Sequence, residues 1–73
     1  MLTTESTNLF ISFVEDAPNW SGQPMVDFTK EQRGNLSDLK RKGLVETFRD
    51  EGCDWIIFTP TGTAFASELG YTL

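Results

Sequence analysis

An α+β domain follows from three features of the 73-residue chain. Apolar residues recur at helical spacing before Pro18, the period changes to that of strands after Gly43, and Thr59-Pro60 restarts a helix that Gly70 ends. The expected order is helix, short strand, helix, hairpin, helix. It forms one small domain over residues 1–73, with the short strand joining the hairpin in a three-stranded antiparallel sheet.

The first helix is expected to start near Thr4 or Ser6, with Glu5 placed for the helix dipole. Leu9, Phe10, Phe13, Val14 and Ala17 make one apolar stripe, and Pro18 closes it. The following run, Asn19 to Pro24, is rich in turn residues and reads as a loop with Trp20 as an anchor. Pro24 to Phe28 reads as a short strand, because proline suits a strand start or an edge. That strand is expected to pair with the hairpin, since a lone hairpin is marginal in water and Val26 and Phe28 need cover.

Thr29 to Gly43 is the best-marked helix. Thr29 as N-cap and Gln32 three residues on can satisfy the amides of the first turn. Lys40, Arg41 and Lys42 suit the last turn, and Gly43 is the expected left-handed stop. Leu36 and Leu39 point inward with Gln32 and the Lys40 stem, whereas Lys30, Gly34, Ser37, Asp38 and Arg41 share the outer face and Arg33 flanks it. After Gly43, the runs Leu44 to Arg49 and Trp55 to Thr59 read as a hairpin joined by the acidic link Asp50 to Asp54. Thr59 then caps the last helix, Pro60 takes its first position, and Ala64, Phe65 and Leu69 form its apolar side.

Composition limits the chemistry. A domain of this size buries roughly 60% of its unfolded surface, so its six Phe and two Trp carry much of the core. The net charge is -5, but every Lys and Arg lies between Lys30 and Arg49. There six cations face three carboxylates, leaving +3, while each flank carries -4. One cysteine forms no internal disulfide, and no run approaches the ~20 apolar residues of a membrane span. A soluble protein of the cytoplasm is expected. No enzyme is expected either. The chain has no histidine, which removes Ser-His and Cys-His activation and His-based metal sites. Cys53 stands beside the carboxylate of Asp54 and has no histidine in the chain to activate it as a nucleophile. No cofactor and no metal site are expected.

Leu36-x-x-Leu39-x-x-x-Gly43-Leu44-Val45, an acidic hairpin tip, and Ile56-x-Phe58-Thr59-Pro60-x-Gly62 together resemble the recognition helix and wing of the winged helix-turn-helix superfamily, particularly its MarR-like and related prokaryotic members. The resemblance covers roughly Val26 to Leu69. It implies a winged-helix fold, with Ile56 and Phe58 facing the core, and DNA binding in a small prokaryotic or viral transcriptional regulator. The chain departs from the family in two places. Only ten residues separate Ala17 from Phe28, so the helix that normally precedes the recognition helix is absent or cut to a turn. Gln32 also stands at an inward position where the family has an apolar residue.

The resemblance makes Lys30, Arg33, Gly34, Asn35, Ser37 and Arg41 the residues that meet duplex DNA. Lys and Arg would meet phosphates and base edges, and Gly34 would allow close backbone approach. Useful affinity is expected to need a homodimer through the first and last helices, whose reading helices would lie about one DNA turn (~34 Å) apart. The alternative is a winged-helix module that binds another protein through the same helix or through Trp55 and Ile57. Asp50, Glu51 and Asp54 at the wing favour that alternative, because phosphates repel them.

Overall fold

The computed structural model describes residues 2–20, 22–24 and 33–73. Within them lie helix α1 (Thr4–Asp16), a short 3-10 turn (Ala17–Trp20), helix α2 (Arg33–Arg41), strands β1 (Val45–Asp50) and β2 (Cys53–Phe58), and helix α3 (Pro60–Glu68). The fold is α+β, with three helices and a two-stranded antiparallel sheet among the described residues. The expected strand after Pro24, the cap Thr29 and the inward Gln32 lie outside the described residues, as does the Trp20 side chain.

Helix α1 starts where a hydroxyl can cap it. The Thr3 side chain accepts a hydrogen bond from the Ser6 amide at 3.1 Å, which satisfies one of the first-turn donors. Its stripe is inward as expected: Leu9, Phe10, Phe13, Val14 and Ala17 are all buried. The chain then continues for one tight turn through Ala17–Trp20 instead of opening directly into a loop. Pro18 fits there because a first turn needs no amide from it.

Helix α2 buries Leu36 and Leu39 and ends through backbone bonds that its sequence invites. The Leu44 amide donates to the Leu39 carbonyl at 3.1 Å and the Gly43 amide to Lys40 at 3.0 Å. Gly43, at φ 74, takes the left-handed conformation that this pair of bonds requires. Leu39 and Leu44, both buried, supply the apolar contact that accompanies such a stop. The Lys40 side chain is exposed, which corrects its expected inward stem: at the edge of the buried face a long charged side chain carries its ammonium out to water.

The hairpin is tighter than the expected five-residue link. Asp50 pairs with Cys53, so both belong to the strands and only Glu51 and Gly52 form the turn. Both have positive φ, 52 and 79, the combination whose twist matches that of two antiparallel strands. Glu51 is an expensive residue at that position, because a side chain in the left-handed region crowds its own carbonyl, and Asn tolerates the conformation better. Glu51→Asn is therefore expected to stabilise the domain by about 0.5–1 kcal/mol and raise Tm by a few degrees. Thermal unfolding beside Glu51→Gln, which removes the charge alone, would assign the gain to conformation. Equal Tm for the two variants would refute that assignment.

Val45, Ile56 and Phe58 turn to the core side of the sheet, with Val45 and Ile56 fully buried. The Phe58 ring stands edge-on to Phe10 at 5.8 Å, and Phe65 of α3 lies 5.1 Å from Phe10 on another side. Phe10 is thus the point at which α1, β2 and α3 meet. Helix α3 faces that point with Gly62, Phe65 and Ala66. Ala64 and Leu69, expected on its inner side, are exposed. The close approach of Gly62 to the Leu44 backbone, just before β1, turns the helix so that Gly62, Phe65 and Ala66 face inward instead.

The Thr59-Pro60-x-Gly62 segment ties the last helix to the start of β1. The Leu44 carbonyl accepts from the Thr59 amide at 3.1 Å and from its hydroxyl at 3.0 Å, while that hydroxyl accepts from the Gly62 amide at 2.9 Å. The Gly43 carbonyl also faces the Thr59 hydroxyl. One threonine thereby caps α3 and fixes the end of the α2-β1 connection.

Candidate nucleic-acid interface

Burial of Leu36 and Leu39 decides which side of α2 is left for a partner. Residues three and four apart share a helix face, so holding these two leucines against α1 and β1 turns Arg33, Gly34, Ser37 and Arg41 outward, and all four are exposed. Lys40 and Lys42 are exposed as well. No carboxylate among the described residues lies within ion-pair distance of any of these four cations; the ion pair formed there is Arg49 with Asp54, at 3.2 Å on the hairpin. Within the described residues these four cations, on ten residues of chain, form no ion pair and are opposed locally by Asp38.

The expected contact residues divide into three groups. Arg33, Gly34, Ser37 and Arg41 lie together on the outer face. Around Gly34, an added Cβ would meet nothing within 4 Å, so no packing within the described residues demands a glycine there and its backbone is open to close approach. Asn35 is turned away: its Oδ1 accepts a hydrogen bond from the buried Ser6 hydroxyl at 3.3 Å. It joins α2 to α1 and orients the helix instead of facing a ligand. Lys30 lies outside the described residues. Lys40 and Lys42 complete the exposed set, and their crowding in the last turn was the sequence signal for them.

Trp55 and Ile57 occupy the side of the sheet away from Phe10, as the strand alternation requires. Trp55 is half-buried opposite Phe48 and its indole N–H donates to the Asp50 carbonyl at 3.3 Å. Ile57, also half-buried, lines a groove of about 580 Å³ with Ala17, Pro18, Thr63 and Leu73. Cys53 is half-buried at the start of β2, not in the turn where the sequence placed it.

The acidic residues lie at the other end of the hairpin. Asp50 and Glu51 are exposed at its tip, whereas Asp54 is partly neutralised by Arg49. Among the described residues no helix is long and apolar enough to cross a membrane. Compared with models of known families, with curated proteins and with solved structures, the chain matches none.

Proposed function

We propose that the chain is a winged-helix DNA-binding module of a small prokaryotic or viral transcriptional regulator, working inside the cell, with α2 as the helix that meets the duplex. The observation that carries this reading is the exposed basic surface of α2 and its C-terminal end, where Arg33, Lys40, Arg41 and Lys42 form no ion pair among the described residues. Phosphate binding draws on local positive potential, and a helix held by two leucines presents that potential on a rigid support. The winged-helix assignment has its own support. The Ile56 amide donates to the Pro24 carbonyl at 2.8 Å, on the edge of β2 where a third strand would pair.

Salt dependence tests the reading. Affinity for random duplex DNA is expected to fall linearly with salt on a log-log plot, and Arg33→Ala or Arg41→Ala to reduce the slope by about one unit each. Neutralising the tip with Asp50→Asn and Glu51→Gln is expected to tighten binding, because repulsions within about one Debye length (~8 Å) of the backbone are removed. Absence of salt-sensitive binding at ~50 mM salt, in wild type and in the tip variant alike, would overturn the DNA reading. It would favour a protein partner held by the same helix or by Trp55 and Ile57.

A further inference from the structure

The free edge of the hairpin carries an inference that does not rest on DNA binding. Ile56 gives its amide to Pro24, on the side of β2 away from β1. Its cross-strand partner Thr47 therefore belongs to a pair that exchanges no hydrogen bonds, and both members of such a pair turn their backbone groups outward. The same parity holds two residues to either side, so Val45, Thr47 and Arg49 direct their N–H and C=O groups out of the β1 edge. Among the described residues, no backbone group bonds to that edge. An open row of this kind is a template for another strand.

We propose that a second copy of the chain adds its own β1 to this edge, antiparallel and about a two-fold axis at Thr47. Outward groups must meet outward groups, so Thr47 can face the partner's Val45, the partner's Thr47 or the partner's Arg49. Facing Val45 sets Glu46 against the partner's Glu46, and facing Arg49 sets Glu46 against the partner's Asp50. Like charges directly opposite destabilise a ladder. Facing Thr47 avoids both: Val45 meets the partner's Arg49, and Glu46 meets the partner's Phe48. The two Phe48 rings, each half-buried in a single copy, become diagonal neighbours about 7–8 Å apart.

Charge complementarity favours the same register. Continued past the strand ends, it places Asp50 opposite the partner's Leu44 and Glu51 opposite the partner's Gly43. The acidic tip of each copy then lies beside the Lys40-Arg41-Lys42 end of the other copy's α2, and the symmetry repeats the contact. None of these groups has an ion pair within the described part of one chain. The contact differs from the helix-to-helix dimer expected above.

Sedimentation of the full chain without DNA is expected to show reversible dimers in the micromolar-to-millimolar range. Thr47→Pro removes an outward N–H and none that β1 gives to β2, a position where an edge strand accepts proline. It is expected to leave a folded monomer at every concentration. A second variant guards against a local effect of proline on β1. Asp50→Lys with Glu51→Lys moves the net charge from -5 to -1, which lessens overall repulsion between copies, and yet is expected to weaken dimerisation about tenfold or more. Adding Lys40→Glu and Lys42→Glu is expected to restore it to within about threefold of wild type. A wild type that stays monomeric at millimolar concentration overturns the proposal. So does a dimer that the charge reversal leaves at full strength.

Discussion

Replacing Gly62 with Ala is expected to destabilise the domain by about 3 kcal/mol or more, the upper end of what overpacking costs. Helix propensity alone gives the opposite sign, since Ala is favoured over Gly in a helix by about 1 kcal/mol. Packing reverses it. A Cβ on Gly62 would overlap the Leu44 carbonyl oxygen and lie 2.9 Å from its carbon. That carbonyl cannot move aside freely, because the Thr59 amide and hydroxyl both hold it. The expected result is either separation of α3 from β1 or the loss of the Thr59 bonds. Gly34→Ala is the matched control: it makes the same change in a helix where no described residue lies within 4 Å of the new carbon. It is expected to raise stability by about 0.5–1 kcal/mol. Urea unfolding of both variants measures the contrast, and a Gly62→Ala protein as stable as wild type would mean that α3 does not sit against Leu44 as described.

Phe10→Ala is expected to cost about 3–5 kcal/mol, the range for removing a buried aromatic ring. A domain of this length has a total stability of only about 4–11 kcal/mol, so most of it would be lost. The size of the effect comes from position as well as from area. Phe10 has no exposed surface, and its ring meets Phe58 edge-on and Phe65 at a tilt, so its removal leaves a void touching three elements. Phe10→Leu keeps most of the volume but loses the aromatic contacts, worth about 0.5–1.5 kcal/mol per pair. It is expected to fall between wild type and Phe10→Ala in urea midpoint. If Phe10→Ala lost less than about 1.5 kcal/mol, the core would close over the gap and the three-element junction would not be the centre of stability.

Charge placement on α2 was legible in advance because a helical period converts sequence spacing into a face. Once Leu36 and Leu39 are inward, Ser37 and Arg41 are outward wherever the helix packs. Asn35 lies on the boundary between the two faces, and there spacing is silent. What turns it inward is Ser6, 29 residues earlier in the chain, a buried hydroxyl that no local pattern connects to it. Lys40 shows the reverse. It lies near the boundary on the other flank, and its long side chain extends into solvent.

The sequence by itself determined what depends on a few consecutive residues. The apolar stripe of α1 arises from helical spacing, and the stop of α2 at Gly43, the Thr59 cap with Pro60 behind it, and the end of α3 before Gly70 arise from bonds spanning five residues or fewer. Local geometry suffices for these because donor, acceptor and backbone freedom lie in one short segment. Only the tertiary structure decided the two-residue turn of the hairpin, the outward parity of Thr47, and the face that α3 presents to the core. The turn follows from the register of the whole ladder, which pairs Asp50 with Cys53, and the other two depend on groups distant in sequence: Pro24 reaching Ile56, and the Leu44 carbonyl pressing on Gly62. Strand pairing and close packing are set by which surfaces can be desolvated together, and that choice is made by the whole chain.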